Sequence, residues 1–156
     1  MYSLALIGDS EAFTDRFAKE VYRSLYQHLF FVNRNLEKCI PYSNNHYFSD
    51  IVGMLFLGQL FSTTRDGRRT LKYAIKEYCK EVKLQVFPSG VNYERSVSYH
   101  RLMTELVLYP YYMLKRTGHH LPEVITDRLS RMLGYINQYT MANGCSCLLY
   151  TSDAAD

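Results

Sequence analysis

Apolar residues recur at intervals of three and four along most of the chain, a period that suits helices packed through one face and does not suit strands. Leu71, Ile75, Tyr78, Val82 and Val86 form one such stripe, predicting a helix that begins near Arg65 and ends at Pro88-Ser89-Gly90, where proline stops the ladder and glycine takes the turn. Phe13, Phe17, Val21 and Leu25 form another, on a helix from about Ser10 to Gln27 that Asp9 or Ser10 would cap. A further helix is expected from about Asn45 to Leu60. The next starts near Ser96 and carries Leu102, Leu106 and Met113; Pro110 deprives the Leu106 carbonyl of its amide partner and is expected to kink this helix, which Gly118 closes. Pro122 suits the first turn of a fifth helix, with Ile125, Leu129, Met132 and Ile136 as its stripe and Asn143-Gly144 as the following break. No heptad seam or tetratricopeptide-type repeat is visible. The expected fold class is all-α: stacked αα-hairpins, in a solenoid or an α/α toroid.

The last ten residues, Cys147 to Asp156, back-translate to a string that resembles read-through into a transposase-type sequencing adapter, so they are expected to be non-native and the natural protein to run on past Ser146. The chain carries 18 basic and 15 acidic residues, a net charge of +3. Two of those acids, Asp153 and Asp156, lie in the tail, so the balance without it is +5. Such a mild excess suits a polyanionic sugar and is far below the basic density that would argue for nucleic acid. With 47% hydrophobic residues the remainder can bury one sizeable core. Cys39, Cys79 and Cys145 form no CxxC pair, which indicates neither a zinc site nor a disulfide framework, and no cofactor is called for. The longest apolar run, Ile51 to Phe61, is too short for a membrane span of about 20 residues. No charged-then-apolar leader opens the chain, and location stays open on the residues alone.

Two motifs carry chemistry. Pro41-Tyr42-Ser43-Asn44-Asn45-His46 opens one helix, and Asn92-Tyr93-Glu94-Arg95-Ser96-Val97-Ser98-Tyr99-His100-Arg101 leads into another. The first, followed by an apolar helix containing Gly53 and Gly58, and the second, preceded by Phe87-Pro88-Ser89-Gly90-Val91, together resemble the N-terminal toroid of the heparinase II/III-like polysaccharide lyases, a group that includes oligoalginate lyases. The similarity runs from about Phe31 to Gly144. It implies that residues 1–146 are a fragment of an incomplete α/α toroid lyase domain, that a β-sandwich domain of the same chain is missing, and that the cleft between them cleaves a uronic-acid-containing polysaccharide. It also implies a bacterial protein that is periplasmic or secreted.

The residue types suit β-elimination. The C5 proton beside a uronate carboxylate is weakly acidic, and its removal builds charge that a neutral donor in a pocket of low dielectric can stabilise. By resemblance Asn45 takes that part, with His46 assisting carboxylate binding or proton transfer, and Tyr99 protonates the O4 leaving group and, in syn elimination, also takes the C5 proton. A tyrosine ionises near pH 10 and makes a poor base at neutral pH unless cationic or hydrogen-bonding neighbours help; His100 and Arg101 are the candidates, and with Glu94 they are the expected substrate-binding residues. The three catalytic candidates should converge on one concave surface. The rest of such a site lies in the missing portion, so this fragment alone is expected to be inactive.

Plainer readings stand beside these. Asn45, Ser43 or Asn44 would serve as a helix cap, Tyr99 as a groove or core residue among 15 tyrosines, and Glu94 as a loop anchor. His119-His120 reads as an exposed loop and not a metal pair. Lys72, Lys76, Lys80 and Lys83, with Arg65, Arg68 and Arg69, read as a solvated face with Glu77 and Glu81 as ordinary i,i+3 and i,i+4 partners. A non-catalytic sugar-binding or scaffold toroid is the alternative function. A toroid hydrolase would need two facing carboxylic acids, for which only Asp50 and Glu94 lie near the motifs; Asp50, one turn after His46, would otherwise orient that ring.

Overall fold

The computed structural model describes residues 7–38, 44–141 and 144. Five α-helices lie within them: α1 Asp15–Arg34, α2 Asn45–Leu60, α3 Arg65–Gln85, α4 Val97–Arg116 and α5 Glu123–Tyr139. Val86 pairs with Asn92 in an isolated bridge of extended backbone. The fold is all-helical, with stacked helix pairs in a toroid-like arrangement. Cys39, Pro41 to Ser43, Asn143, Cys145 and the 147–156 tail fall outside the described residues.

Packing radiates from α2. It is apolar nearly all round, burying Tyr47, Phe48, Ile51, Val52, Met54, Leu55 and Leu57, so it needs neighbours on several sides. α3 lies along it most extensively, with α1 and α4 on its other flanks and α5 against α4. The approach of α2 to α3 is close at Gly58, where a Cβ would stand 2.7 Å from the Leu71 amide nitrogen.

Several helix boundaries and faces depart from the periodicity. α1 begins at Asp15 and not near Ser10: Thr14 is the cap, its side chain accepting from the Phe17 amide at 3.3 Å, while Ser10 turns its hydroxyl to the Ala12 amide. The stripe on α1 reaches the core only at Leu29, and Phe17 is 46% exposed. In α4 the buried face is Met103, Val107, Pro110 and Leu114, one position round from the expected stripe, and Leu102 is 42% exposed. That face is set by turning His100 and Thr104 inward together with Pro110. The helix runs on through Pro110, and the buried Tyr78 hydroxyl donates at 2.7 Å to the Val107 carbonyl, next to the Leu106 carbonyl that proline leaves without an amide. Glu77 pairs with Lys80 at i,i+3, 3.7 Å away, as expected, and Glu81 lies 3.9 Å from the same ammonium, but both glutamates are buried and accept as well from the Tyr47 hydroxyl at 2.8 Å and from Gln85 Nε2 at 3.0 Å. Lys72, Lys76 and Lys83 are solvated as expected.

The chain leaves α3 through a tight turn. The Gly90 amide donates to the Phe87 carbonyl at 2.8 Å, the Phe87 amide to Val91 at 2.9 Å, and an Arg128 guanidinium from α5 caps the Val86 carbonyl. Gly90 has φ of +91°, and a Cβ there would lie 2.5 Å from the carbonyl carbon of Arg131. Gly118 has a similar φ of +80° but open space around it. Gly90→Ala should therefore cost about 2–4 kcal/mol, combining left-handed strain with overpacking, against about 1 kcal/mol for Gly118→Ala. Urea unfolding followed by circular dichroism would measure both, and equal losses would contradict this account of the turn.

Candidate active site

Both motifs arrive at one end of the bundle because α3 ends there. Gln85, its last residue, donates through Nε2 to the Asn44 carbonyl at 3.0 Å, at the start of α2, and its own carbonyl accepts from the Tyr93 amide at 3.0 Å and Asn92 Nδ2 at 3.0 Å. The Asn92 amide in turn donates to His100 Nδ1 at 3.2 Å, in the first turn of α4. A short buried chain of amides and one imidazole thus fixes the beginnings of α2 and α4 against the same helix terminus.

At the α2 start, Asn44 takes the capping role, its Oδ1 accepting from the Tyr47 amide at 2.8 Å. That assignment frees Asn45. It is the first residue of the helix, half-buried, and its side-chain amide bonds to no described residue. His46 follows on the surface, with Nδ1 2.9 Å from Glu37 Oε2. Asp50 does not orient this ring directly: it accepts from the Glu37 backbone amide at 2.7 Å, so it holds the residue whose carboxylate meets the imidazole. The pair is an exposed carboxylate–imidazole contact in which Glu37 can only accept. Glu37 was not visible in the sequence, since nothing in spacing links it to a histidine nine positions later across a loop. Behind the dyad, burial together with the Tyr73 hydroxyl and the Glu77 carboxylate pushes the Tyr47 phenol far above its ordinary range, so it stays a proton donor.

At the α4 start, Ser96 caps the helix and Tyr99 stands in the first turn, 45% exposed, its hydroxyl bonded to no described residue. Arg95, immediately before the cap, has φ of +56°, a left-handed conformation that costs a non-glycine residue about 1–2 kcal/mol and that clusters at functional sites. Glu94 is half-buried; its amide donates to Asn92 Oδ1 at 3.1 Å, and its carboxylate lies beside the Tyr93 phenol, whose ionisation is disfavoured by burial and by that neighbour. Loop anchoring is what these bonds do.

The expected companions of Tyr99 are turned elsewhere. His100 is 1% exposed, with Nδ1 accepting from Asn92 and Nε2 3.1 Å from the Met132 carbonyl, and packs edge-on to Tyr135. It lies about 100° round the helix from Tyr99, and Arg101 about twice that. Arg101 joins Val97, Ser98, Ile136 and Tyr139 around a cleft of about 110 Å³, where burial and the neighbouring Tyr135 push the Tyr139 phenol above its ordinary value and Arg101 opposes this only in part. His100 is thus buried and engaged at both ring nitrogens. Among the described residues no cluster of histidine, cysteine, aspartate or glutamate could hold a metal ion, and no helix is long and apolar enough to cross a membrane.

Burial drives the His100 pKa below its ordinary value of 6.5, the Met132 carbonyl opposing this only in part. The unfolded chain therefore takes up the proton first as pH falls, so the stability tied to neutral His100 is complete above about pH 6.5 and is lost toward the lower folded-state value. Unfolding free energies between pH 7.5 and 5 should decline more steeply for the wild type than for His100→Gln; parallel curves would contradict a neutral buried imidazole.

The sequence matches the family described as Heparinase II/III N-terminus over residues 3–149. No curated protein matches it. Among solved structures, it is similar to the heparan sulfate lyase HepC from Pedobacter heparinus, with 23% identity over 92% of this chain and a TM-score of 0.69, and to a mutant of that lyase, at 0.70. It is likewise similar to a heparinase III, the BT4657 gene product, with 19% identity over 90% of this chain and a TM-score of 0.71. The chain spans 22% of the length of each of these proteins, and at such identities the likeness is one of fold. With the family matched across nearly its whole length, the chain belongs to the heparinase II/III N-terminal family.

Proposed function

We propose that this chain is the N-terminal toroid portion of a polysaccharide lyase that cleaves a uronic-acid-containing glycan by β-elimination. The observation that supports the reading is that the start of α2, with Asn45 and the His46–Glu37 pair, and the start of α4, with the exposed Tyr99, are tied to the same end of α3.

In this reading the Asn45 side-chain amide donates to the substrate carboxylate, and the positive end of the α2 dipole adds to the stabilisation. Removing the C5 proton forms the C4=C5 double bond as the C4–O4 bond breaks. His46 Nε2 accepts the C5 proton, Glu37 stabilising the resulting imidazolium, and Tyr99 protonates the departing O4, so the proton and electron count closes. Glu94 and His100 act behind the surface, fixing the loop and the first turn of α4, and Arg101 borders the neighbouring cleft. The relatives' greater length supports assigning the remaining substrate contacts, including a β-sandwich domain, to a longer chain, with residues 147–156 foreign to it. A bacterial periplasmic or secreted location follows from the same reading.

The test uses the longer gene product containing this region, with absorbance of the unsaturated uronate followed on alginate, heparan sulfate, hyaluronan and chondroitin. Asn45→Ala and Tyr99→Phe should each lower kcat by about 10²–10⁴ while leaving folding intact. Full activity in Tyr99→Phe would remove it from the chemistry. Glycan binding with no turnover on any substrate would favour a non-catalytic sugar-binding toroid.

A further inference from the structure

A cavity of about 490 Å³ lies not between the two motifs but between α1 and α3, bordered by Phe30, Arg34, Leu36, Asp66, Arg69 and Tyr73. Its volume is that of a small-ligand site. The other basic groups near the core are engaged: Lys80 with Glu77 and Glu81, Arg131 with Asp127, Arg68 on the Ser62 and Thr63 carbonyls, Arg128 on Val86. Arg34 and Arg69 bond to no described residue although both border one cavity that also contains a carboxylate. That carboxylate, Asp66, accepts instead from the Tyr26 hydroxyl at 3.2 Å. Two guanidinium forks on opposite helices, without a bonded partner among the described residues and beside two aromatic rings, are suited to an anionic group on a ring that has an apolar face.

The cavity adjoins the candidate active site through two connections. Leu36 is followed directly by Glu37, the partner of His46, and the Tyr73 hydroxyl is 3.2 Å from that of Tyr47, the residue after His46.

We infer that the α1–α3 cavity is an anion subsite for an acidic glycan, in which Arg34 and Arg69 clasp a sulfate or carboxylate of a sugar unit away from the cleaved bond while the Phe30 and Tyr73 rings flank the sugar. The inference rests on the proposed lyase reading only for the ligand being a glycan, and its test needs no turnover. Calorimetric titration of the 156-residue chain uses three probes: a heparin-derived tetrasaccharide, its fully desulfated N-acetylated counterpart, and a sulfated maltotetraose that lacks uronate. Arg34→Gln and Arg69→Gln should each weaken binding of the heparin fragment about tenfold. Arg69→Lys, which keeps the charge and loses the fork, should weaken it by less. A remote variant of equal charge change, Lys115→Gln, should shift it less than about twofold, the size expected for exposed charges. Arginine-dependent binding retained by the sulfated maltotetraose assigns the site to sulfate, and by the desulfated fragment to carboxylate. Equal losses in the remote variant, or no loss in either arginine variant that folds by circular dichroism, would overturn the subsite. Arginine-dependent binding of the tetrasaccharide that persists where no turnover is found bears against the lyase reading alone and leaves the subsite standing.

Discussion

Gln85 sits where α3 ends, and the two hydrogen-bonding ends of that one residue reach both candidate motifs: its side chain holds the carbonyl of the α2 cap, and its backbone carbonyl holds the loop that leads into α4. Asn92 and His100 extend the same chain inward to the Met132 carbonyl of α5. All three side chains are buried, so an unmade bond in the chain would cost roughly 1–3 kcal/mol with no water to repair it. Each bond is also a positional constraint. Asn45 is displayed because Asn44 is occupied as cap and pinned by Gln85, and Tyr99 because His100, its neighbour, is drawn into the core.

The hydrophobic framework makes that network possible. α2 is apolar on nearly every side, which forces α1, α3 and α4 around it and leaves only its first turn to carry polar work. Glu77 and Glu81 on α3 face that first turn, and the paired phenols of Tyr47 and Tyr73 shield it. The two helix starts that carry Asn45, His46 and Tyr99 thus rest on buried groups that bond mainly to one another, which holds their backbone in place.

Much of this was legible in the residues. The α2 boundaries and the α3 and α5 stripes follow from three-and-four spacing, because those helices bury one continuous apolar face or are apolar throughout. α4 was misread by one position, since its inward face includes Pro110, Thr104 and His100, polar or irregular residues that periodicity does not count as core. The inward turn of Glu77 and Glu81 was hidden for a related reason: charge at helical spacing beside lysines looks solvated, and only the approach of Tyr47 and Gln85 shows that it is not. Asn45 and Tyr99 were identifiable from their motifs. Glu37 was not, because its meeting with His46 depends on how the chain returns to α2 and on Asp50 holding its backbone. The Arg34–Arg69 cavity joins residues on separate helices, a tertiary fact that no local pattern encodes.

The account treats Asn45 and Tyr99 as one catalytic unit acting on one uronate. A double-mutant cycle on the longer gene product, reading kcat/KM for wild type, Asn45→Ala, Tyr99→Phe and the pair, tests this most directly. Groups that act together in one transition state are strongly non-additive, so the double variant should be about as slow as the slower single variant. Losses that simply multiply would mean that the two residues serve separate steps or separate sites, and the account would fail.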